Sequence, residues 1–209
     1  MHANLPALEA VLDECPRGRI IHAGDVVGYN PHPGEVIELM REKRIASVMG
    51  NHDYAVLTGD TSAFNPVAAR AIEWTRGVLQ EEHLAYLRSL SLELRVESIC
   101  CVHGSPAEPL WEYVYPGGRL EEHLQRAGAR MLVLGHTHVP FHLRLPSGEV
   151  LNPGSVGQPR DGSPLASFAV VEDGKVELRR VEYEVGRVAR DILRAGLPGV
   201  LAQRLYSGW

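Results

Sequence analysis

Apolar residues fall into two patterns along the first two thirds of the chain. Residues 4 to 14 place Leu8, Val11 and Leu12 at helical spacing, behind Asn4 as a cap and Pro6 early in the first turn. A second helix is predicted from about Gly34 to Lys43, with Val36, Ile37, Leu39 and Met40 as its buried face. The stretch 66 to 90 reads as two helices, one striped by Val67, Ala71, Trp74 and Val78, the next by Leu84, Leu87 and Leu90 after Glu81-Glu82. Between them stand short unbroken runs: Ile20-Ile21, Ala46 to Met49, Ile99 to Val102 and Met131 to Leu134. Buried parallel strands read this way. Strands are expected at 91 to 97 and 99 to 102, then a loop rich in proline and glycine and a helix near 119 to 127.

Beyond Gly135 the period drops to two. Residues 141 to 151 read as one hairpin around a Pro-Ser-Gly turn, and 166 to 183 as another around Asp173-Gly174. A helix over Val185 to Arg194 follows, and Pro198 opens a last short one. Alternating strands and helices followed by hairpins predict one α/β domain over residues 1–209. Its expected form is a four-layer α-β-β-α sandwich, two packed mixed sheets flanked by helices.

Composition narrows the function. The 209 residues suffice for one sizeable core. A net charge of -5 with no lysine- or arginine-rich run argues against binding a nucleic-acid backbone, and Arg179-Arg180 reads as a solvated face. No stretch is apolar enough to span a membrane and no leader pattern opens the chain, so a cytoplasmic protein is expected. Cys15, Cys100 and Cys101 do not make a disulfide framework, and adjacent strand residues face opposite ways, so all three read as small apolar residues.

The chemistry lies where the apolar runs end. Gly24-Asp25-Val26-Val27-Gly28, Gly50-Asn51-His52-Asp53, Val102-His103-Gly104 and Gly135-His136-Thr137-His138 each set a metal-ligand side chain beside glycine. Side chains at the carboxyl ends of several strands converge on one crevice. Asp25, short and held in a strand-end turn, is the natural carboxylate to bridge two cations. His136 and His138, two apart, can share a centre only in a loop. Oxygen, amide and imidazole donors suit Mn, Fe, Ni, Zn or Co. His22, His32, His83, His123 and His142 lack this context and read as structural or solvent-exposed.

These blocks, in this order, resemble the calcineurin-like metallophosphoesterase superfamily, and most of all its small bacterial phosphodiesterase branch. The resemblance runs from His2 through Asn152-Pro153-Gly154-Ser155 to Leu197-Pro198. It implies two divalent transition metals. One would be held by His2, Asp25 and His138, the other by Asp25, Asn51 through its amide oxygen, His103 and His136. It implies in-line attack on phosphorus by a metal-bridging hydroxide, His52 as general acid with Asp53 orienting it, and Tyr29 and Asn30 near the substrate. Family members open with a strand ending in Asp-x-His, whose Asp is also a ligand. Here His2-Ala3-Asn4 matches the end of that motif, so the first strand and its Asp are expected upstream of Met1.

Relatives that cleave phosphoproteins or symmetrical dinucleoside tetraphosphates carry an arginine just after the bridging Asp. Val27-Gly28-Tyr29 stands here instead, and weight shifts to phosphodiesters and small phosphorylated or nucleotide substrates. The alternatives are a dinucleoside polyphosphate hydrolase and, since the retromer subunit shares this fold, a non-catalytic metal-binding or protein-docking module. A small phosphoester is the expected partner, and a homo-oligomer is left open.

Overall fold

Asn4 accepts the Ala7 N–H on its side chain at 3.2 Å and so opens helix α1 (Leu5–Glu14), whose Pro6 and Leu8 face inward. The computed structural model describes residues 1–209. Strand β1 (Ile21–His22), helix α2 (Pro33–Glu42) and strand β2 (Ala46–Ser47) follow, and β1 and β2 pair in parallel. Next come α3 (Asn51–Thr58), α4 (Pro66–Val78), α5 (Glu81–Arg88), and strands β3 (Glu93–Val96) and β4 (Ile99–Val102). Helix α6 (Leu120–Ala127) leads to β5 (Met131–Val133), the hairpin β6 (Phe141–Leu145) and β7 (Gly148–Asn152), and a second hairpin, β8 (Ala166–Glu172) and β9 (Lys175–Val181). Helices α7 (Val185–Arg194) and α8 (Gly199–Ser207) close the chain.

The fold is mixed α/β. One sheet has five strands in the order β3-β4-β5-β7-β6, parallel from β4 through β5 to β7 and antiparallel at both edges. In place of a second continuous sheet there are two ribbons, β1-β2 and β8-β9. Each of β1 and β8 has a strand partner on one side only, and a cavity of about 290 Å³ lies between them, reaching inward to His2, Asp25 and His138. No helix is long and apolar enough to cross a membrane.

Two local readings change. The Gly50-Asn51-His52-Asp53 block, which sequence shows only as the end of an apolar run, is also the start of helix α3. Gly50 is the N-cap, Asp53 at the third helical position accepts the Gly50 N–H at 3.0 Å, and Gly59 ends the helix at φ 78°. In α4 the buried face is Ala68, Ala71, Ile72 and Thr75, and Val78 is exposed. Ala68 and Ala71 pack in one cluster with Val188, Ile192, Leu201 and Leu205 of α7 and α8, and Val67 and Trp74 of the expected stripe lie partly buried against it, so only Val78 departs from the stripe.

Candidate metal centre

The segments that follow β1, β2, β4 and β5 all turn toward one point, as their glycine-flanked endings predict. The turns are backbone-strained. Nine non-glycine residues have positive φ, and five of them are His2 (54°), Asp25 (59°), Tyr29 (62°), His136 (63°) and His138 (61°). Such a conformation costs of order 1–3 kcal/mol per residue and clusters at functional sites. It also breaks the alternation of an extended chain, so His136 and His138 both reach the same centre. The approach is close enough to demand glycine at Gly50, where a Cβ would land on the backbone and carboxylate of Asp25.

Two groups of buried donors result. In the first, His2 Nε2 lies 2.9 Å from His138 Nε2 and 3.4 Å from Asp25 Oδ2. In the second, His103 Nε2 lies 3.1 Å from Asn51 Oδ1, 3.1 Å from His136 Nδ1 and 3.3 Å from the same Asp25 Oδ2. One carboxylate oxygen thus belongs to both groups.

Proton bookkeeping tests whether a cation fits. His2 Nδ1 faces the Val27 carbonyl at 3.2 Å, His138 Nδ1 the Gln158 carbonyl at 2.6 Å, and His103 Nδ1 the Ala23 carbonyl at 2.7 Å. A carbonyl only accepts, so each ring carries its proton on Nδ1 and turns a bare Nε2 lone pair inward. His2 and His138 then oppose lone pair to lone pair. His103, when neutral, opposes its lone pair to a carboxylate and to an amide oxygen, and Asp25 draws a cation, a second proton or a metal, to that nitrogen. Such contacts are repulsive unless a cation sits among them, and the outward carbonyl bonds are how metal-bound histidines are usually oriented. The donor set fits a divalent metal.

Electrostatics agree. Burial holds His2 and His138 well below the usual imidazole range, takes His52 down to about 4 and His136 down to about 3, so these rings are neutral. Burial alone would raise the Asp25 carboxyl, but the histidines around it, His103 above all through its charge and hydrogen bond, hold it well below the carboxylate range. His103 is the exception: burial lowers it, Asp25 more than compensates, and its value rises.

Six of the expected ligands, His2, Asp25, Asn51, His103, His136 and His138, therefore meet. The other expected site residues are placed as follows. Asp53 does not meet the His52 ring. Its carboxylate accepts the N–H groups of Val26, Val27 and Gly50 at 3.0–3.2 Å, tying the first block to the second. Burial pushes its carboxyl up to about 6, with those three bonds pulling the other way. Asn30 is buried and donates to the carbonyls of His2 and Gly157, so it is not free to touch a substrate. Tyr29 is packed between the His2 and His52 rings, with centroids at 4.7 and 4.4 Å, and only its hydroxyl is engaged, by Arg160 at 3.0 Å. The five other histidines are occupied outside the two groups: His22 with Ser47, His32 with Asp191, His83 with the Gln80 N–H, His123 with Glu112 and His142 with Glu149.

The centre opens to solvent through a pocket that sequence reasoning did not foresee. Its lining brings together Tyr29, His52, Phe64, Trp111, Tyr113 and Arg160. Arg160 comes from the loop after β7, whose Pro159-Arg160 next to the Asn152–Ser155 block was the available signal.

Comparison with known proteins shows the family. The family model for the calcineurin-like phosphoesterase superfamily domain matches residues 1–174. An uncharacterized protein of Methanocaldococcus jannaschii is 37% identical over 234 residues, which cover 100% of this chain and 95% of that protein. The crystal structure of a metallophosphoesterase from Sphaerobacter thermophilus is 40% identical with a TM-score of 0.89, covering 100% of this chain and 96% of that one. A hypothetical protein from Pyrococcus horikoshii OT3 is 25% identical with a TM-score of 0.90, covering 100% and 95%. With the fold, the ordered blocks and the family match in agreement, the chain belongs to the calcineurin-like phosphoesterase superfamily.

Proposed function

We propose that this protein is a metal-dependent phosphoester hydrolase that holds two divalent transition metals and acts on small phosphodiesters or phosphorylated metabolites. The observation that carries the reading is Asp25 Oδ2, shared between two groups of histidine lone pairs. His2, Asp25 and His138 would hold one ion, and Asp25, Asn51, His103 and His136 the other; Mn, Fe, Ni, Zn and Co all suit these donors. When bound, two such ions supply Lewis acidity, making water a nucleophile near neutral pH and neutralising charge on the phosphoryl oxygens.

The chain's own residues supply the rest. His52 lies in the pocket above the ligands, with its Nδ1 buried and unpartnered. Because burial lowers it to about 4, the ring is neutral in the free site, and the negative charge of an arriving phosphoester raises its affinity for a proton. We assign it the proton donated to the departing alkoxide. Gly28 makes room for that ring: a Cβ there would sit 2.5 Å from His52 Nδ1.

The test is a panel of phosphodiesters and monoesters with p-nitrophenyl and alkyl leaving groups, assayed with added manganese. Metal-dependent turnover is expected. His52→Ala should lower it by about 10²–10⁴-fold for alkyl esters and by less for p-nitrophenyl esters, whose leaving group needs no proton. Absence of metal-dependent hydrolysis across the panel contradicts the reading. Equal losses for both leaving groups would reassign His52 to holding phosphate.

A further inference from the structure

We infer that the pocket over the centre selects phosphoesters carrying a flat aromatic substituent, such as a nucleobase, with Arg160 gripping the phosphate and Trp111 stacking on the ring. The inference rests on the proposed hydrolase reading and names the substrate class of that same site.

Arg160 is half-buried, and its only side-chain bonds are from one terminal nitrogen, to Tyr29 Oη at 3.0 Å and Gln158 Oε1 at 3.4 Å. No carboxylate pairs with it. Its backbone N–H is tied to the His138 carbonyl at 3.3 Å, and its charge is felt at both His52 and His138. A positioned guanidinium with free donors beside a metal-ligand cluster fits a phosphate oxygen. It supplies from a distant loop the cation that does not follow Asp25 in sequence.

The same pocket is also lined by aromatic rings. The Phe64 ring bridges the His52 ring, centroids 4.9 Å apart, to that of Trp111 at 5.5 Å. Tyr113 covers the His136 ring at 3.8 Å yet remains 53% exposed. Trp111 belongs to none of the apolar clusters of the interior, so core packing does not account for it. The loop that presents these rings is built. Glu112, between Trp111 and Tyr113, accepts from Ser105 Oγ and lies 3.7 Å from His123 Nε2, and the Gly104 N–H donates to the Pro109 carbonyl at 2.6 Å. Held aromatic faces at the mouth of an anion site suit a planar ring joined to a phosphate.

Calorimetry with the manganese-loaded protein decides it without relying on turnover. Adenosine 5′-monophosphate should bind about tenfold or more tightly than ribose 5-phosphate, which has the same phosphate and sugar but no base. Trp111→Ala should bring the nucleotide down to the affinity of the sugar phosphate, and Trp111→Phe should keep most of the difference. Arg160→Ala should weaken both ligands by about tenfold, with Arg160→Lys recovering part of the loss. Equal affinities in the wild type, a preference that survives Trp111→Ala, or unchanged binding in Arg160→Ala would each overturn the inference. Nucleotide-selective binding without hydrolysis of any ester would leave this inference standing and contradict the hydrolase reading instead.

Discussion

His2 and His138 face each other across 2.9 Å with their Nε2 atoms, and each ring has already committed its one proton to a carbonyl on its far side. Two lone pairs so placed repel. In chelator, His138→Ala should therefore cost little stability for so buried a residue, and manganese should raise the melting temperature of the wild type but much less that of the variant. Thermal melts with and without chelator read this directly. A strongly destabilised apo variant that still gains the full shift from manganese would contradict it.

Asp53 should prove a structural residue. Its carboxylate satisfies three buried N–H groups from two loops, and Asp53→Ala leaves all three orphaned, a loss of about 3 kcal/mol on the scale of bonds to charged acceptors. Urea unfolding measures that loss. In the fraction that remains folded, the ratio of rates for good and poor leaving groups should match the wild type, because the carboxylate does not touch His52. A changed ratio with unchanged stability would restore the role expected from sequence.

Acid should unfold the metal-free protein early. His2, His52, His136 and His138 bind protons in the folded state only far below the ordinary 6.5, and burial lowers the Met1 amine from 8.0 to about 6. The unfolded chain takes up these protons first, so stability is full above about pH 8 and falls as pH drops toward 4. By about pH 4, His52 alone accounts for about 3 kcal/mol. His103 and Asp53, both shifted upward, act oppositely, their contribution fading as pH rises, but they are two against five. Chemical denaturation in chelator from pH 4 to 8 should show stability rising across that range; a flat or falling profile would be inconsistent with neutral buried imidazoles.

Why the sequence revealed the ligands but not the pocket follows from where each kind of residue sits. Asp25, Asn51, His103, His136 and His138 lie immediately after short apolar strands and beside glycines, so chain order alone carries their convergence. Phe64, Trp111 and Arg160 come from three loops, and only folding brings them to one opening. Nearness to Asp25 in sequence says nothing of burial: Asn30 points inward to the His2 and Gly157 carbonyls, while the buried Tyr29 ring reaches the pocket wall and its hydroxyl meets Arg160. Helix α3 was hidden because its first residues are the ligand block itself.

The unpaired edges of β1 and β8 make a further test. The Met1 amine is buried at the inner end of the cavity between them, against His22 Nε2 and the Asp25 carbonyl. Extending the chain ahead of Met1 with a short apolar strand ending in Asp would replace a buried amine with a peptide N–H, offer both edges a partner and bring a carboxylate toward His2. The extended protein should melt higher and hold manganese more tightly. Identical melting temperature and metal affinity would show that the cavity does not receive a strand.

The central claim is that Asp25 joins two metal sites, and metal content per chain in Asp25→Asn tests it most directly. After manganese loading and removal of free ion, elemental analysis should find about two ions per wild-type chain, about one in His138→Ala, and close to none in Asp25→Asn, because that change removes charge from both sites at once. Wild-type metal content in Asp25→Asn would contradict the account.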